Sequence, residues 1–368
     1  MNKGGVQERP VHGGLNISEL DFLGLYPDEI IDFSSSLNPL GPSVLAVEAA
    51  RNADLGAYPD TDCLRLRNAI GEHLGTDPSK VLVGNGSTEL IHLLARAYLR
   101  GEDSALVFSP TFGEYEAACR LQGVGPAELS PSSGGFHWDI QAAIRRIAEL
   151  RPSVVFLCNP NNPTGIYLRE REVTGIVEVL QKDSLLALDE AYLPFVEERW
   201  DSLRLLATPN VAVLRSMTKD YALTGLRLGY MIATEDVIER VKRFQYSWSV
   251  NTAAQAAGIA ALSDTEHIEK GRKAVQSGKR FLSDAVTALG LECLPSAANF
   301  LLIRVGWASE LRLDLLNRHK ICVRDCASFG LPEYIRVGIR NMEDNRKLAQ
   351  ALGQVLQTRR RESQGRIR

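Results

Sequence analysis

The chain has 368 residues, a formal net charge of −3 and an apolar content of 45%. This length and this apolar content predict two or three folding units with large cores. The small net charge argues against a nucleic-acid or anionic-membrane partner, and no apolar run approaches the roughly 20 residues of a membrane span. We therefore expect a globular protein that binds neither nucleic acid nor membrane.

The terminal segments and the cysteines carry little functional signal. Residues 1–5 lack the apolar core of a signal peptide, so the cytoplasm is the expected location. Residues 359–368 are rich in arginine and are interpreted as a solvated tail. The six cysteines form no CxxC pair, which predicts neither a zinc site nor a disulfide framework, and we expect no metal.

The predicted elements fall into three regions along the chain. Residues 1–43 contain mainly turn signals and one short helical pattern, so we expect an arm that crosses onto another surface. Residues 44–255 form the expected large domain. Residues 256–368, together with the arm, form the expected small α+β domain, in which a helical stretch at 253–289 precedes apolar segments at 300–305, 321–324 and 334–339.

Within the large domain, short apolar runs alternate with segments of helical periodicity. Strands are predicted at residues 81–83, 105–108, 153–157, 185–188, 211–214 and 228–232, and helices at 89–99, 113–121, 138–150 and 170–180. The runs are rich in Val, Ile and Leu without polar alternation, which is typical of strands buried on both faces. Their alternation with helices predicts a mostly parallel α/β sheet.

An anion-binding turn is predicted at residues 84–89, Gly-Asn-Gly-Ser-Thr-Glu, where a strand leads into a helix. Gly86 permits close backbone approach, and the free N–H groups of a helix N-terminus attract an anion. Ser87 is of a type that caps helices. An ordinary strand-to-helix turn is the alternative, and no lysine follows in the register of a Walker P-loop.

Two further segments place polar groups at strand ends. Asn162, in the segment Asn-Pro-Asn-Asn-Pro-Thr-Gly, can donate into a cleft at the carboxyl edge of the sheet, with a rigid loop as the alternative. Asp189 ends an apolar strand, where a carboxylate needs a partner such as a protonated pyridine nitrogen, and Tyr192 lies close by. A metal is the rival partner of Asp189, but no histidine or second carboxylate cluster supports it.

A lysine follows the strand at residues 211–214, in the segment Ser-Met-Thr-Lys. Lys219 at this position can form an imine and then act as base and acid on a substrate Cα proton. Ser216 and Arg227 would hold a phosphate, because the planar guanidinium engages phosphate oxygens in pairs. A single lysine is usually a solvated surface residue, but its combination with the three preceding signals favours the catalytic interpretation.

The segments GNGSTE, SPTFGEY, NPNNPTG, DEAY, SMTKDYALTGLRLGY and YIRVGIR resemble the fold-type-I pyridoxal 5′-phosphate (PLP) enzymes of the class I/II aminotransferase family, over nearly the whole chain. The resemblance implies a large domain with a mostly parallel seven-stranded sheet and a smaller α+β domain. It implies PLP as the cofactor, carried by Lys219 as a Schiff base. Asp189 would pair with the pyridine nitrogen and Phe112 would stack on the ring. Tyr192 and Asn162 would hold the phenolic oxygen.

The same resemblance assigns the cofactor phosphate and the subunit arrangement. The residues that would bind this phosphate are Gly86, Ser87, Ser216 and Arg227. Tyr58, in the segment Tyr-Pro-Asp, would reach the phosphate from a partner subunit. The resemblance therefore implies a homodimer.

Two branches of the family are close: the L-threonine-O-3-phosphate decarboxylases and the histidinol-phosphate aminotransferases. In both branches an arginine at the position of Arg324 would bind the phosphate of a small phosphorylated amino-acid substrate. The alternative role for Arg324 is a surface salt bridge. Arg336 would hold the substrate carboxylate, and Asn162 would also contact the substrate. The arm segments HGG and DFSSSLNPLG resemble HGGN and DFSANINPLG of the decarboxylases, which would place His12 and Asn38 near the substrate phosphate. A turn histidine in a mobile arm is the alternative.

The leading hypothesis is therefore PLP-dependent decarboxylation of O-phospho-L-threonine to (R)-1-aminopropan-2-yl phosphate and CO₂, by a lyase of cobalamin biosynthesis. The alternative is a PLP aminotransferase acting on histidinol phosphate or a related phosphorylated amine or amino acid. The two reactions differ in which bond to Cα stands perpendicular to the pyridine plane, and the anchoring residues set that angle. The arm also departs from the decarboxylase pattern, because HGGLN displaces the asparagine to Asn16.

Overall fold

The computed structural model describes residues 10–131 and 135–365. Its strands are β1 (Ile31–Asp32), β2 (Val81–Asn85), β3 (Ala105–Phe108), β4 (Ala127–Leu129), β5 (Val154–Cys158), β6 (Leu185–Asp189), β7 (Val211–Ser216), β8 (Leu228–Ile232), β9 (Glu292–Leu294), β10 (Phe300–Arg304), β11 (Ile321–Cys322), β12 (Arg324–Asp325) and β13 (Tyr334–Gly338). Its α-helices are α1 (Ile17–Leu23), α2 (Val44–Arg51), α3 (Leu64–Leu74), α4 (Gly86–Tyr98), α5 (Glu114–Leu121), α6 (Ile140–Leu150), α7 (Glu170–Glu178), α8 (Glu235–Lys242), α9 (Thr252–Ser263), α10 (Thr265–Ala288), α11 (Ala308–His319) and α12 (Met342–Gly365).

The large sheet has seven strands in the order β2-β8-β7-β6-β5-β3-β4. Strand β8 runs antiparallel to both of its neighbours, and the pairs among β7, β6, β5, β3 and β4 are parallel. Six of these strands were predicted from apolar runs, and the mostly parallel seven-stranded sheet is confirmed. The carboxyl ends of β5, β6 and β7 lie at one edge, so Asp189 and Ser216 end neighbouring strands at the same side of the sheet.

Alternate residues of the large-sheet strands enter two separate cores. Leu186 and Leu188 of β6 pack in one core, and Leu185 and Ala187 pack in the other. Because successive side chains of a strand point to opposite faces, both faces of the sheet are covered. This burial explains why the strands read as continuous apolar runs.

A smaller antiparallel sheet, in the order β12-β13-β10-β9, forms a third core with α10, α11 and α12. Strand β1 of the arm pairs in parallel with β11, so the arm is joined to this part of the chain. The first core extends through α9 to Leu262. The division of the chain at residue 255 stays a prediction.

Two local predictions differ from the structure. The helical stretch at 253–289 is two helices, because Asp264 ends α9 and its side chain caps α10 by accepting a hydrogen bond from the His267 N–H. Ser87 does not cap α4, which begins one residue earlier; instead the Glu89 carboxylate accepts from the Asn85 N–H at 2.6 Å. In each case a side chain reaches an N–H group that is free at the helix N-terminus.

The end of the chain is more ordered than the predicted solvated tail. Helix α12 continues to Gly365, and Arg359 donates to Glu310 at 2.8 Å and lies over the ring of Trp307. The remainder of the tail, residues 366–368, and the N-terminal segment at residues 1–5 lie outside the described residues. No described helix is both long enough and apolar enough to cross a membrane.

Candidate active site

A cleft of about 360 Å³ opens at the carboxyl edge of the large sheet, bordered by the arm and the small sheet. Most of the residues that the sequence singled out line it. They are His12, Ser87, Phe112, Asn162, Asp189, Tyr192, Ser216, Lys219, Arg227, Arg324 and Arg336. The fold thus brings together residues from the arm, the first turn of α4, the strand ends and loops of the large sheet, and strands β12 and β13 of the small sheet.

Lys219 lies three residues beyond the end of β7, and its Nζ is 5.8 Å from the ring centroid of Tyr192. Among the described residues no carboxylate forms a salt bridge with it. Burial, with the nearby charges of Arg336 and Arg227, lowers the pKa of Lys219 to about 8. A substantial share of this amine is therefore neutral near physiological pH, as a nucleophilic lysine requires.

Asp189 is a buried carboxylate at the end of β6. Its Oδ2 accepts from the Tyr115 hydroxyl at 2.8 Å, and its Oδ1 accepts from the Ala191 N–H at 3.0 Å. Burial raises the pKa of Asp189, and these two hydrogen bonds oppose that rise. No described cation forms a salt bridge with it, so a protonated ring nitrogen would supply the partner that this site lacks.

Tyr115 was not predicted as a site residue. It lies in the quoted segment SPTFGEY, three residues after Phe112, and the two rings meet edge to face at 5.7 Å. Its place in that segment, close to Phe112, was the available signal. Its bond to a residue 74 positions away depended on the tertiary fold.

The first turn of α4 and the segment after β7 form a cradle for an anion. Gly86 has φ +74°, and a Cβ at this position would lie 2.7 Å from Arg227 Nη2. Ser87 lines the cleft beside them, and the Ser216 and Thr218 hydroxyls are 2.7 Å apart. N–H groups, hydroxyls and a guanidinium at a helix N-terminus match a phosphate group.

The asparagine-proline loop after β5 is rigid, and it also places one asparagine in the cleft, so both interpretations of this segment apply. Asn159 and Asn161 are buried and hydrogen-bond within the structure, Asn159 to Leu168 and Asn161 to Thr164, which makes the loop rigid. Asn162 instead lines the cleft, and its Oδ1 accepts from the Arg336 guanidinium. Only this third asparagine is available to a ligand.

Two buried arginines in the cleft lack a carboxylate partner among the described residues. Arg324 Nη2 donates to the Val11 carbonyl at 2.9 Å and to the Ser328 hydroxyl at 2.6 Å. Arg336 Nη2 donates to the Ser34 carbonyl at 2.8 Å. The Nε of each has no hydrogen-bond partner, so the surface salt bridge considered for Arg324 is wrong and an anion would neutralise this pair.

The remaining predicted residues take different positions. His12 lines the cleft, whereas the buried Asn38 turns away: its Nδ2 donates to the Asp220 carbonyl at 2.9 Å, and its N–H donates to the Lys219 carbonyl. Tyr58 lies outside this cleft, is 81% exposed and stacks on Trp248 at 4.6 Å. Asn38 thus supports the lysine segment, which differs from the predicted contact with substrate.

The residues present fit PLP, with an amine for the aldehyde, a carboxylate for the ring nitrogen and a cradle for the phosphate. Within residues 10–131 and 135–365, no group of three or more His, Cys, Asp or Glu side chains is placed to hold a metal ion. The chemistry of the cleft is therefore that of an aldehyde cofactor bearing a phosphate.

Comparisons with known proteins agree with this chemistry. Residues 28–352 match the family described as "Aminotransferase class I and II". The histidinol-phosphate aminotransferase of Anaeromyxobacter sp. is 39% identical over 89% of this chain and 91% of its own. The fold matches the PLP complex of the Sinorhizobium meliloti histidinol-phosphate aminotransferase, with a TM-score of 0.85, 23% identity and coverage of 93% and 94% of the two chains. It also matches the L-threonine-O-3-phosphate decarboxylase of Porphyromonas gingivalis, with a TM-score of 0.75, 28% identity and coverage of 88% and 99%. The chain therefore belongs to the class I and II aminotransferase family, and its cofactor is the predicted pyridoxal 5′-phosphate.

Proposed function

We propose that this protein is a PLP-dependent aminotransferase that acts on histidinol phosphate or a related phosphorylated amine. The observation that carries the proposal is the 39% identity, over most of both chains, to a protein named histidinol-phosphate aminotransferase. The decarboxylase, which the sequence analysis placed first, is represented by a structural neighbour of 28% identity. The comparisons thus favour the function that was the alternative.

The cleft supports a substrate with an anionic group. Arg324 and Arg336 are buried and have no carboxylate partner in the part of the chain that the structure describes, and a buried cation is costly unless an anion neutralises it. A phosphate that displaces the Val11 carbonyl from Arg324 would gain paired, charge-assisted hydrogen bonds. Arg336 would then be left for a second anion, such as the carboxylate of the amino acid that supplies the amino group.

The chain's own groups would hold PLP at both ends. The cradle of Gly86, Ser87, Ser216 and Arg227 would take the phosphate, and Asp189 would take the ring nitrogen. Bound there, PLP withdraws electrons from the substrate Cα. Burial raises the pKa of Tyr192 to about 12, so its hydroxyl keeps a proton that it can donate to the ring oxygen.

Lys219 would move the proton of the reaction. With its pKa lowered to about 8, the amine can accept a proton at Nζ and return it at the same pH. Transamination requires a group that takes the proton from the substrate Cα and later returns it. Lys219, which lines the cleft beside Tyr192, would be that group.

A second candidate, decarboxylation of O-phospho-L-threonine, is supported by the position of the arm. His12 of the HGG segment lies in the cleft and is hydrogen-bonded to Glu114 at 2.7 Å, which is unlike a histidine in a mobile arm. The sequence resemblance to the decarboxylases rests on this same segment. Retention of the Cα–carboxylate bond or its loss depends on where Arg324 and Arg336 hold the phosphate and the carboxylate.

Two parallel assays test these proposals. The PLP-loaded enzyme is given histidinol phosphate with 2-oxoglutarate, and glutamate is measured; separately it is given O-phospho-L-threonine without an oxo acid, and CO₂ is measured. We expect repeated turnover to glutamate in the first assay. Repeated CO₂ release in the second, with no glutamate in the first, would replace the aminotransferase by the decarboxylase.

The homodimer is also a proposal. Tyr58 and Trp248 stack on each other and are 81% and 50% exposed, and Leu55, Leu64 and Tyr246 are exposed apolar side chains as well. Exposed aromatic and aliphatic residues at this density are typical of a surface covered by another chain. A partner subunit on this face would bring its Tyr58 to the phosphate cradle, as the family resemblance implies.

A further inference from the structure

A buried carboxylate lies between two histidines beside the cleft. Glu114 begins α5 and is 7% exposed. Its Oε1 is 2.7 Å from Nε2 of His12 in the arm, and its Oε2 is 2.7 Å from Nε2 of His92 on α4. These hydrogen bonds, followed by the histidine charges, lower the pKa of Glu114 to about 2 against the effect of burial. The carboxylate is therefore ionised at neutral pH.

The ionised carboxylate determines which nitrogen of each histidine carries a proton. A carboxylate can only accept hydrogen bonds, so both histidines must donate from Nε2. The Nδ1 of His12 is then left for another partner, and no described residue hydrogen-bonds it. The His12 ring lies 5.6 Å from the ring of Phe112, in the cleft where the substrate would bind.

The arm touches the rest of the molecule at few other points near His12. Val11 accepts a hydrogen bond from Arg324, and the Gly14 N–H donates to the Ser34 hydroxyl at 2.8 Å. Arg324 is the residue that we expect to turn to the substrate phosphate, so its bond to the arm is the one that substrate would break. Among the described residues, the contact with Glu114 would then be the remaining hydrogen bond between residues 11–14 and the large-sheet region.

We propose that Glu114 is a positioning residue that holds His12 over the cleft, so that Nδ1 of His12, carrying a proton, donates a hydrogen bond to the phosphate of the substrate. His92 braces Glu114 from outside the cleft, since it is not among the described residues that line it. The proposal rests on a phosphorylated substrate, as put forward above. Its physical basis is that a side chain held in its binding geometry before the substrate arrives loses less freedom when it binds.

The first test compares two charge-removing variants on the same helix. Glu114→Gln keeps the shape but replaces one acceptor oxygen by an NH2 donor and removes the negative charge, so one histidine loses the charge-assisted hydrogen bond that it donates from Nε2. Loss of a charge-assisted hydrogen bond predicts a fall of about tenfold or more in kcat/KM for the phosphorylated substrate, mostly through KM. Glu116→Gln is the matched control, because Glu116 is partly exposed and, among the described residues, its salt bridge is to Arg120 in the next turn; it should leave kcat/KM unchanged.

The second test asks whether Glu114 acts through His12. If it does, adding Glu114→Gln to His12→Ala should cost no further activity, and His92→Ala alone should raise KM as Glu114→Gln does. Multiplying losses in the double variant would overturn the proposal. Phosphate-free analogues of the substrate, L-threonine or histidinol, should respond much less to Glu114→Gln than their phosphorylated forms do, and an equal response would contradict a phosphate-directed role.

A third measurement needs no substrate, so it separates this proposal from the proposed function. Hydrogen exchange of the peptide containing residues 11–14 should speed up in PLP-loaded Glu114→Gln and stay as in the unaltered enzyme in Glu116→Gln. Unchanged exchange in Glu114→Gln would overturn the positioning role, whatever the substrate proves to be. If exchange is faster in Glu114→Gln but the unaltered enzyme processes neither phosphorylated substrate, Glu114 still positions the arm and the proposed function is refuted.

Discussion

The lowered pKa of Lys219 predicts how the cofactor-free protein captures PLP. Only the neutral amine attacks an aldehyde, and an ordinary lysine has a pKa of 10.5, whereas that of Lys219 is about 8. At pH 7 about 9% of Lys219 would be neutral, against about 0.03% of an ordinary lysine, a difference of about 300-fold. The rate of PLP capture should therefore rise about tenfold for each pH unit below 8 and level off above it.

The assay follows the visible absorbance that develops when PLP links to Lys219, with Lys219→Ala as the blank. Arg336→Met removes one of the charges that lower the pKa, so capture at pH 7 should slow while the plateau at high pH is kept. Arg336→Lys keeps a positive charge and should behave more like the unaltered protein. A capture rate that still climbs tenfold per unit beyond pH 9.5 would refute the reasoning, because the lysine would then have an ordinary pKa.

Three further predictions concern the cradle, a buried acid and the subunit interface. Gly86→Ala should weaken PLP binding at least tenfold in a spectroscopic titration, because a Cβ there meets a guanidinium at 2.7 Å and a left-handed φ is unfavourable; Gly101→Ala, in open space, should not. Burial raises the pKa of Asp220 to about 7, so the folded state retains a proton that the unfolded state has lost above pH 3.8 and stability falls as the pH rises. Asp220→Asn should raise the free energy of unfolding at pH 8 by at most about 4 kcal/mol, and the gain should vanish toward pH 4 in denaturant titrations. Mixing inactive Lys219→Ala and Tyr58→Ala proteins should restore about a quarter of the sites if Tyr58 acts across a homodimer, and none if it acts within one chain.

The sequence predicts the sheet well because its strands are buried on both faces and read as apolar runs. Strand β4 was not identified, since its residues Ala-Glu-Leu are few and partly exposed. Cofactor residues such as Asp189 and Lys219 were found because each stands beside a strand end in a recognisable segment. The bonds of Tyr115 and Glu114 were missed because they join residues that are 74 and 102 positions apart. Burial, which no pattern reports, decided the interpretation of Arg324.

The hydrogen bonds of Asn38 have a consequence for attempts to exchange parts between relatives. This asparagine donates to the carbonyls of both Lys219 and Asp220, so the backbone at the reactive lysine and just after it is held by a segment almost 200 residues away in the chain. A chimera that takes its first 43 residues from another family member would also replace the support of its own lysine. A transplanted arm that is meant to alter substrate choice should therefore keep Asn38 and its hydrogen bonds. Without them, we expect Lys219 to be displaced.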